Sequence, residues 1–382
     1  MGFEVRVGID ALTSLDAAAA VAGPAGELGR SLPASDWLHR EWYRSEPAIT
    51  PVAVVVSSER VGDPDIAVAL GIRRRFGFVE LVAAGHPVVD LVRFAGAARD
   101  PDAVAAGIVQ ALHMAGPRAS LRLEQVAADE AWIPALTAAV GRRPTPGQPV
   151  VGTLVGGDRD PALVAGRNFR RKARQVERRI VADGHSFEAA SIVDPGDLAA
   201  ALSAVDVLRS ARDRAAGRRT PFDGGPGSVA LRGSITEAAR RGELELVTVS
   251  VDGELVAYNL AKIEASVFRV IDGRVSPGWR AASLGIVADL AVVTSACARP
   301  SIEWIDWGRG LSSNKARLAT DIVETVDINA WNSPIAGALG PRLRAARRRT
   351  QNGLAEHPRV QDAWRRTKRW MPRPGSPGTG NP

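Results

Sequence analysis

The strongest constraint on the fold is a pattern in the second half of the chain that indicates a β-hairpin. Residues 243–251 alternate polar and apolar side chains, which is typical of a strand with one wet face. Asp252-Gly253 is a pair that favours the tight turn of a hairpin, and residues 254–263 alternate again. A third strand is predicted over residues 267–271. The sequence therefore predicts an antiparallel sheet here.

The segments after the hairpin predict a crossover helix. Ser276-Pro277-Gly278 opens an apolar stretch over residues 281–298, and strands are predicted at 302–306 and 320–328. A strand, a helix and a strand in this order are typical of a parallel pair in a mixed sheet. The apolar stretch is about as long as a membrane span. It contains Asp289 and lies between strands, so we predict a buried helix and no transmembrane segment.

The first half of the chain shows a similar order of elements. Strands are predicted at 52–56, 78–83, 88–94 and 121–126, and helices at 35–44, which contains Trp37, and from Asp100-Pro101 to Met114. Both halves have a proline near a helix start, then the helix, then a strand. The match residue by residue is weak, which leaves coincidence as the alternative. The shared order favours a duplicated module.

We therefore predict an α/β (α+β) chain of two tandem units, each a mixed central sheet flanked by helices. Residues 1–31 form an N-terminal lead, and residues 32–140 form the first unit. Residues 141–160 are rich in Gly and Pro and are predicted as a linker. The second unit covers residues 161–335, and residues 336–382 form a basic, partly disordered tail.

The positive charge of the chain is concentrated in that tail. The chain has 49 basic and 42 acidic residues, a net charge of +7, and residues 341–382 alone have a net charge of +9. The body is near neutral, so the basic isoelectric point does not indicate nucleic-acid binding. The tail would dock on an anionic partner, a membrane surface or the acidic first unit.

A second basic feature is the helix predicted over residues 167–182. Phe169, Ala173, Val176 and Ile180 form an apolar stripe, and most of the other positions are basic from Arg167 to Arg179. Two interpretations stay open, a solvated helix face and a surface that binds tRNA or another anionic partner.

Several classes of site are excluded by composition and motif. Cys297 is the single cysteine, so neither an internal disulfide nor a cysteine-based zinc site is available. The five histidines show no His-x-x-x-His pair, and no metal site is expected. The chain has no G-x-x-x-x-G-K loop and no G-x-S-x-G elbow. The first residues contain no secretory signal, and we expect a cytoplasmic protein.

Two groups of residues after the hairpin have the chemistry of a site. The turn from Ser276 to Arg280 would present backbone N–H groups at a helix N-terminus, and Arg274 and Arg280 would add charge for an anion such as a pyrophosphate. The alternative is an ordinary helix start. Asp306 closes a strand before a Gly-rich loop, where flanking tryptophans would raise its pKa for general-base work. The alternative is a carboxylate that caps its own turn.

The second unit resembles the GNAT acyltransferase superfamily, specifically the tandem-GNAT group of CelD-like and Fem-type proteins. The matching pieces are the basic helix at 168–174, the hairpin at 242–257, the turn Ser276-Pro277-Gly278, the stretch Asp306-Trp307-Gly308-Arg309-Gly310, and Asn314-Lys315. The first unit fits more loosely, and the resemblance covers about residues 32–330.

This resemblance implies transfer of an acyl group from acyl-CoA, such as acetyl-CoA, to an amine. The carried-over donor site contains Ser276, Gly278, Trp279, Arg280 and Arg274, and the substrate-binding residues are Arg309, Asn259 and Asn314. Asp306 would act as base, Tyr258 as the acid that protonates the departing thiolate, and Lys315 as a third catalytic residue. The alternative for Tyr258 is a plain sheet residue.

Two departures from the family are visible. The superfamily's Arg/Gln-x-x-Gly-x-Gly/Ala loop is not intact in residues 276–280, which have one glycine. The family's frequent Tyr-Lys pair is Asn314-Lys315.

Three functions remain as alternatives. The leading hypothesis is an N-acyltransferase for a small metabolite, sugar or peptide amine. The second is a Fem-like transferase that draws an aminoacyl group from charged tRNA, favoured by the basic helix and tail. The third is a non-catalytic binding protein that retains the GNAT fold.

Overall fold

The computed structural model describes residues 3–21, 43, 49–57, 66–75, 78–85, 90–94, 96–216 and 226–333. The strands, in chain order, are β1 (Phe3–Val7), β2 (Ile49–Val56), β3 (Ile66–Arg75), β4 (Phe78–Ala83), β5 (Ala119–Ala127), β6 (Thr145–Pro146), β7 (Val150–Leu154), β8 (Phe187–Ile192), β9 (Leu244–Val251), β10 (Glu254–Glu264), β11 (Val267–Val275), β12 (Trp304–Arg309), β13 (Asp321–Val323) and β14 (Thr325–Trp331).

The helices, in chain order, are α1 (Ile9–Val21), α2 (Pro101–Met114), α3 (Ile133–Val140), α4 (Pro161–Val164), α5 (Gly166–Ala182), α6 (Pro195–Ala215), α7 (Pro226–Arg240), α8 (Gly285–Cys297) and α9 (Ser313–Leu318). Short 3-10 turns cover Ala97–Arg99 and Pro277–Ala282. None of the helices in these described ranges is long and apolar enough to cross a membrane.

The first sheet has the strand order β1-β2-β3-β4-β5-β14-β6. Its neighbouring strands are antiparallel except β4 and β5, which are parallel. A parallel pair needs a crossover connection, and α2 supplies it. The Asp100 side chain begins this helix by accepting a hydrogen bond from the Ala103 N–H at 3.1 Å, and Pro101 occupies the first helical position.

The second sheet has the order β13-β7-β12-β11-β10-β9-β8, and its one parallel pair within the described chain is β11 with β12, connected by α8. The predicted hairpin is confirmed as β9 and β10. Asp252 and Gly253 have φ values of 52° and 77°, the left-handed conformation that a type I′ turn needs at both positions.

The two sheets match strand by strand, which confirms the predicted duplication at the level of topology. Strands β1 to β4 correspond to β8 to β11, α2 corresponds to α8, and β5 corresponds to β12. In the last two places, β14 corresponds to β7 and β6 corresponds to β13. The fold is therefore two mixed sheets flanked by helices, as predicted.

The sixth strand of each sheet comes from the other half of the chain. Strand β7 follows the first unit in sequence but pairs with β12 and β13 of the second sheet. Strand β14 follows the second unit but pairs with β5 and β6 of the first sheet, where Ile328 is fully buried in the core. Each sheet is complete only when the other half of the chain is present.

This exchange corrects the predicted unit boundaries. Residues 141–160, predicted as a linker, contain β6 and the buried strand β7. The glycines and prolines there mark tight turns between strands, and Gly147 leaves no room for a Cβ beside Thr325. At the N-terminus, β1 adds a strand to the first sheet from the residues predicted as a lead.

Other predictions had mixed outcomes. The strands predicted at 52–56, 78–83 and 121–126 lie within β2, β4 and β5, and the basic helix is confirmed as α5. The strand predicted at 88–94 is wrong for its described part, because residues 90–94 form a single bridge from Val92 to Val126. The helix predicted at 35–44, apart from Tyr43, and the basic tail lie outside the described residues.

The exchanged strand predicts that the two halves unfold together. Replacing Ile328 with Ala removes a fully buried side chain of β14 from the first core and should cost about 2–5 kcal/mol. In urea denaturation, probes in both sheets should report the same single transition, at a lower urea midpoint than in the wild type. Asn329→Ala, on the exposed face of the same strand, is the matched control and should change little. Two separate transitions, with the first unit unaffected by Ile328→Ala, would contradict the exchange.

Candidate functional site

The second sheet opens between its two parallel strands. Strands β11 and β12 pair over three positions, from Val267↔Trp304 to Arg269↔Asp306, although β11 continues to Val275. At the start of the opening, the pairing of β10 shifts from Asp272 to Val270, so Ile271 is an extra, bulged residue in β11. Within the described part of the chain, the second half of β11 therefore pairs with no strand on its β12 side, which leaves backbone groups there for a ligand.

The N-terminus of α8 follows this opening and has the features of an anion site. Its N-cap position, Leu284, provides no side-chain hydrogen bond, and the first turn contains no acidic residue. The Ile286 and Val287 N–H groups donate to the Ser283 and Leu284 carbonyls at 3.1 and 3.0 Å, so this end of α8 offers an anion chiefly the positive end of the helix dipole. Arg280 is exposed a short distance upstream. This end of α8 can accept a phosphate group.

The prediction that the turn from Ser276 to Arg280 begins the long helix is wrong. Pro277–Ala282 forms a short 3-10 turn, and α8 begins only at Gly285. The family pattern Arg/Gln-x-x-Gly-x-Gly/Ala matches in a later frame, from Arg280 to Gly285, with Ser283 at its first glycine. Ser283 has a φ of 61°, the left-handed conformation that a glycine adopts readily. The signal is present in the sequence and begins at Arg280, the last residue of the predicted turn.

The remaining predicted donor-site residues lie around this turn. The Ser276 N–H donates to the Val256 carbonyl at 2.7 Å, and Gly278 faces open space. Trp279 is half-buried and makes an edge-to-face contact with His185, with ring centroids 5.5 Å apart. Arg274 points to the α6 side of the sheet, where its Nη1 contacts Asp272 at 2.9 Å.

Asp306 does not have the surroundings of a substrate-facing base. Its side chain is fully buried, with one oxygen paired to Arg269 and the other accepting the Gly308 N–H at 2.7 Å. Burial raises the pKa of this carboxyl, and the Arg269 guanidinium acts in the opposite direction. Asp306 therefore joins β12 to β11 through this ion pair, at the last paired position before the two strands separate. Its burial is a tertiary effect that the strand pattern does not reveal.

Tyr258 is also buried, on the face of the sheet that α6 and α7 cover. Its hydroxyl donates to Asp272 Oδ2 at 2.5 Å, and burial raises its pKa well above the usual range. Arg209 of α6 binds the same carboxylate oxygen at 2.8 Å. Asp272 and Arg209 were missed in the sequence, because the helix and strand that bring them together are far apart along the chain.

Asn259 and Asn314 meet on the opposite face of the sheet. Both side-chain amides donate to Asp289 of α8, at 3.1 and 3.4 Å. Burial raises the pKa of Asp289 to about 6. Lys315 lies nearby and donates to the Arg309 carbonyl at 3.1 Å, and burial lowers its pKa. A carboxylate within an apolar helix is unusual, and this signal could have identified Asp289 in the sequence.

Arg309 joins the two units. Its Nε contacts Asp90 of the first unit at 2.5 Å. The neighbouring Gly308 has a φ of 69°, and a Cβ there would lie 2.5 Å from Asp90 Oδ2. A buried apolar cluster continues this contact between the units; its members are Leu91, Ala127, Val150, Val267, Trp304 and Val323. Arg309 is therefore engaged in an inter-unit ion pair.

The corresponding opening in the first unit is closed. Val92 inserts beside β5, where its N–H donates to the Gln125 carbonyl and its carbonyl accepts the Ala127 N–H. The N-terminus of α2 is capped by Asp100, begins with Pro101 and has Asp102 in its first turn. These carboxylates repel an anion from the position that is uncapped in α8.

The raised pKa of Asp289 predicts a pH-dependent stability. An unfolded aspartate ionises near pH 4, whereas Asp289 in the fold binds its proton up to about pH 6. The folded state therefore holds more protons in this window, and stability falls as the pH rises through it. Relative to Asp289→Asn, the wild type should lose about 2 kcal/mol of unfolding free energy between pH 4 and pH 8.

Urea denaturation across this pH range measures that difference. Asp158→Asn removes an exposed carboxylate and is the control; its curve should run parallel to that of the wild type. A parallel curve for Asp289→Asn as well would contradict the assignment.

Comparison with known structures identifies chains with the same fold. FemX shares 13% identity with this chain and covers 89% of it and 100% of its own length, with a TM-score of 0.58. A conserved protein of unknown function from Bacteroides thetaiotaomicron has 14% identity, 83% and 97% coverage and a TM-score of 0.51. The C-terminal domain assigned to a lysylphosphatidylglycerol synthetase of Agrobacterium fabrum has 14% identity, 87% and 96% coverage and a TM-score of 0.50.

At these identities the likeness shows a shared fold. No curated protein matches the sequence significantly. Residues 167–315 match the family described as Acetyltransferase (GNAT) domain, a range that contains α5 to α8, the opening and Lys315. The predicted resemblance is confirmed: residues 167–315 of the second unit resemble an acetyltransferase domain of the GNAT family, in a chain built of two mixed sheets of the same topology.

Proposed function

We propose that the second unit is an N-acyltransferase that moves an acyl group from acyl-CoA to an amine. The contrast between the two crossover helices carries this proposal. The α8 N-terminus is uncapped, free of acids and next to an open strand edge. The α2 N-terminus is capped by an aspartate, and its neighbouring opening is bridged by Val92. One of two related units has thus kept the features that an acyl-CoA needs.

The donor would bind with its pyrophosphate at the α8 N-terminus. The positive end of the helix dipole attracts the pyrophosphate, and the exposed guanidinium of Arg280 supplies hydrogen-bond donors and a positive charge. The acyl end would lie along the unpaired half of β11, whose backbone N–H groups suit the developing negative charge on the carbonyl oxygen.

The chemistry needs orientation more than covalent participation by the protein. The acceptor nitrogen attacks the thioester carbon, a C–N bond forms, the C–S bond breaks and CoA leaves. An acceptor that enters as an ammonium loses two protons, one to the thiolate and one to solvent. Because Asp306 is fully buried, it supports the strands around the reaction instead of taking a proton from the amine. Small-metabolite, sugar and peptide amines all remain acceptor classes.

A charge placed at the α8 N-terminus tests the donor site. In Gly285→Asp the added Cβ meets only ordinary contacts, 3.6 Å from Val275 Cγ2, and an acid stabilises a helix start. The variant should therefore fold, yet bind CoA at least tenfold more weakly, because a carboxylate near a pyrophosphate costs about 1.4 kcal/mol or more. Titration calorimetry with CoA measures this.

The control makes the same charge change in the first unit. Ala106→Asp, at an exposed position of α2, should leave CoA affinity unchanged. Unaltered binding by Gly285→Asp would contradict this donor site. A wild type that binds no acyl-CoA would favour the non-catalytic alternative.

A second candidate is a Fem-like transfer from aminoacyl-tRNA, favoured by the basic face of α5. Arg171, Arg174, Gln175 and Arg178 line a shallow surface pocket of about 430 Å³. All four side chains are exposed, and no acidic residue lines the pocket. Such a surface suits the phosphate backbone of a nucleic acid.

Salt-dependent binding separates this candidate from the first. If α5 binds tRNA, replacing Arg171, Arg174 and Arg178 with Ala should weaken tRNA binding. It should also reduce the slope of log affinity against log salt concentration by about 2–3. The control removes Arg118, Arg142 and Arg143, which are exposed on the first unit. Equal effects of both triple variants would show general charge attraction and reject a site on α5.

A further inference from the structure

A compact cluster of charged side chains lies between α6 and the second sheet. Asp272 is its centre: Oδ2 contacts Tyr258 and Arg209, and Oδ1 contacts Arg274 at 2.9 Å. Asp213, one turn beyond Arg209 on α6, completes the cluster. Two carboxylates face two guanidinium groups, so the cluster is balanced in charge.

One oxygen of this cluster lacks a hydrogen bond. Asp213 Oδ2 is buried and accepts none from the described part of the chain. Its nearest cationic contact is Arg209 Nε at 3.8 Å, which is beyond hydrogen-bonding distance. The Asp213 side chain is only 5% exposed. A buried carboxylate oxygen without a donor costs stability, and such costs are retained where a ligand supplies the missing donor.

The cluster also has the right position to face an acceptor. Asp272 directly follows the bulged Ile271, where β11 leaves β12. Helix α6 contacts β10, β11 and the 3-10 turn that leads to α8. Arg274 is the most exposed member, at 28%, and marks the side from which solvent reaches the cluster. The cluster therefore borders the opening on the face opposite to Asp289.

We propose that Asp213 binds the cationic amino group of the acceptor. An ammonium is the ligand of choice, because it brings N–H donors and the positive charge that a buried carboxylate prefers. Asp272 is already saturated by three donors, and two of them, Arg209 and Arg274, also lie 3.8 Å from oxygens of Asp213. This inference rests on the proposed function and narrows its acceptors to amines that are cationic at neutral pH.

Ligand-induced stabilisation tests the ammonium site without relying on turnover. The probes are an alkylamine, glucosamine and a glycyl peptide, each compared with its N-acetylated form, which has lost the charge. At least one amine should raise the melting temperature of the wild type, whereas the acetylated forms should not. Asp213→Asn, with Asp213→Ser as a second neutral variant, should lose this response. Their melting curves without ligand show whether they fold.

The matched control is Asp206→Asn on the same helix. Asp206 pairs with Arg232 at the surface, at 2.6 Å, so this variant should respond to amines as the wild type does. Equal stabilisation of Asp213→Asn and the wild type, or no stabilisation of the wild type by any amine, would overturn the proposal.

Turnover with acetyl-CoA then tests the role of Asp213 separately from the proposed acyltransferase activity. With the amine that stabilises the wild type, Asp213→Asn should raise KM for the amine about 10–100-fold, the loss of a charged hydrogen bond, and leave CoA affinity unchanged. Unchanged KM with normal turnover would reject the role of Asp213 and retain the acyltransferase. Amine binding that depends on Asp213, without any CoA release, would reject the acyltransferase and retain the ammonium site.

Discussion

The exchange of two strands is the constraint on which the rest of the structure depends. Strand β7 fills the sixth, interior place of the second sheet, and β14 fills the equivalent place in the first. An unfilled place would expose backbone N–H and C=O groups that a sheet interior must pair. The two units therefore form one structural body, and the ion pair between Arg309 and Asp90 joins the end of β12 to the first unit. The site in the second unit is held in place by residues from both halves of the chain.

The two units share a topology but differ at the point where their parallel strands separate and the crossover helix begins. In the second, the parallel strands separate after Asp306, and the crossover helix begins without a cap. In the first, Val92 bridges the gap and Asp100 caps the helix. The stretch that contains Val92 also contains Asp90, the residue that contacts the second unit. The first unit thus closes the opening in its own sheet, and through Asp90 it holds the end of β12 in the second unit.

Local patterns in the sequence predicted much of the fold and little of the site. Alternation and the Asp252-Gly253 turn identified the hairpin because both depend on adjacent residues. The Gly- and Pro-rich composition around Gly147 concealed β7, whose pairing depends on strands far away in sequence. The same limit applies to Asp306: a carboxylate after a strand looks catalytic until tertiary packing buries it. Asp213 and Asp272 come together only when α6 lies across β11.

A structure of the full chain with bound CoA would locate the donor directly. We expect one CoA per chain, with its pyrophosphate at the N-terminus of α8 and its pantetheine arm along the unpaired half of β11. The gap beside Val92 in the first unit should stay closed. CoA at the N-terminus of α2, or along the arginines of α5 with the opening between β11 and β12 empty, would refute a donor site in the second unit's opening.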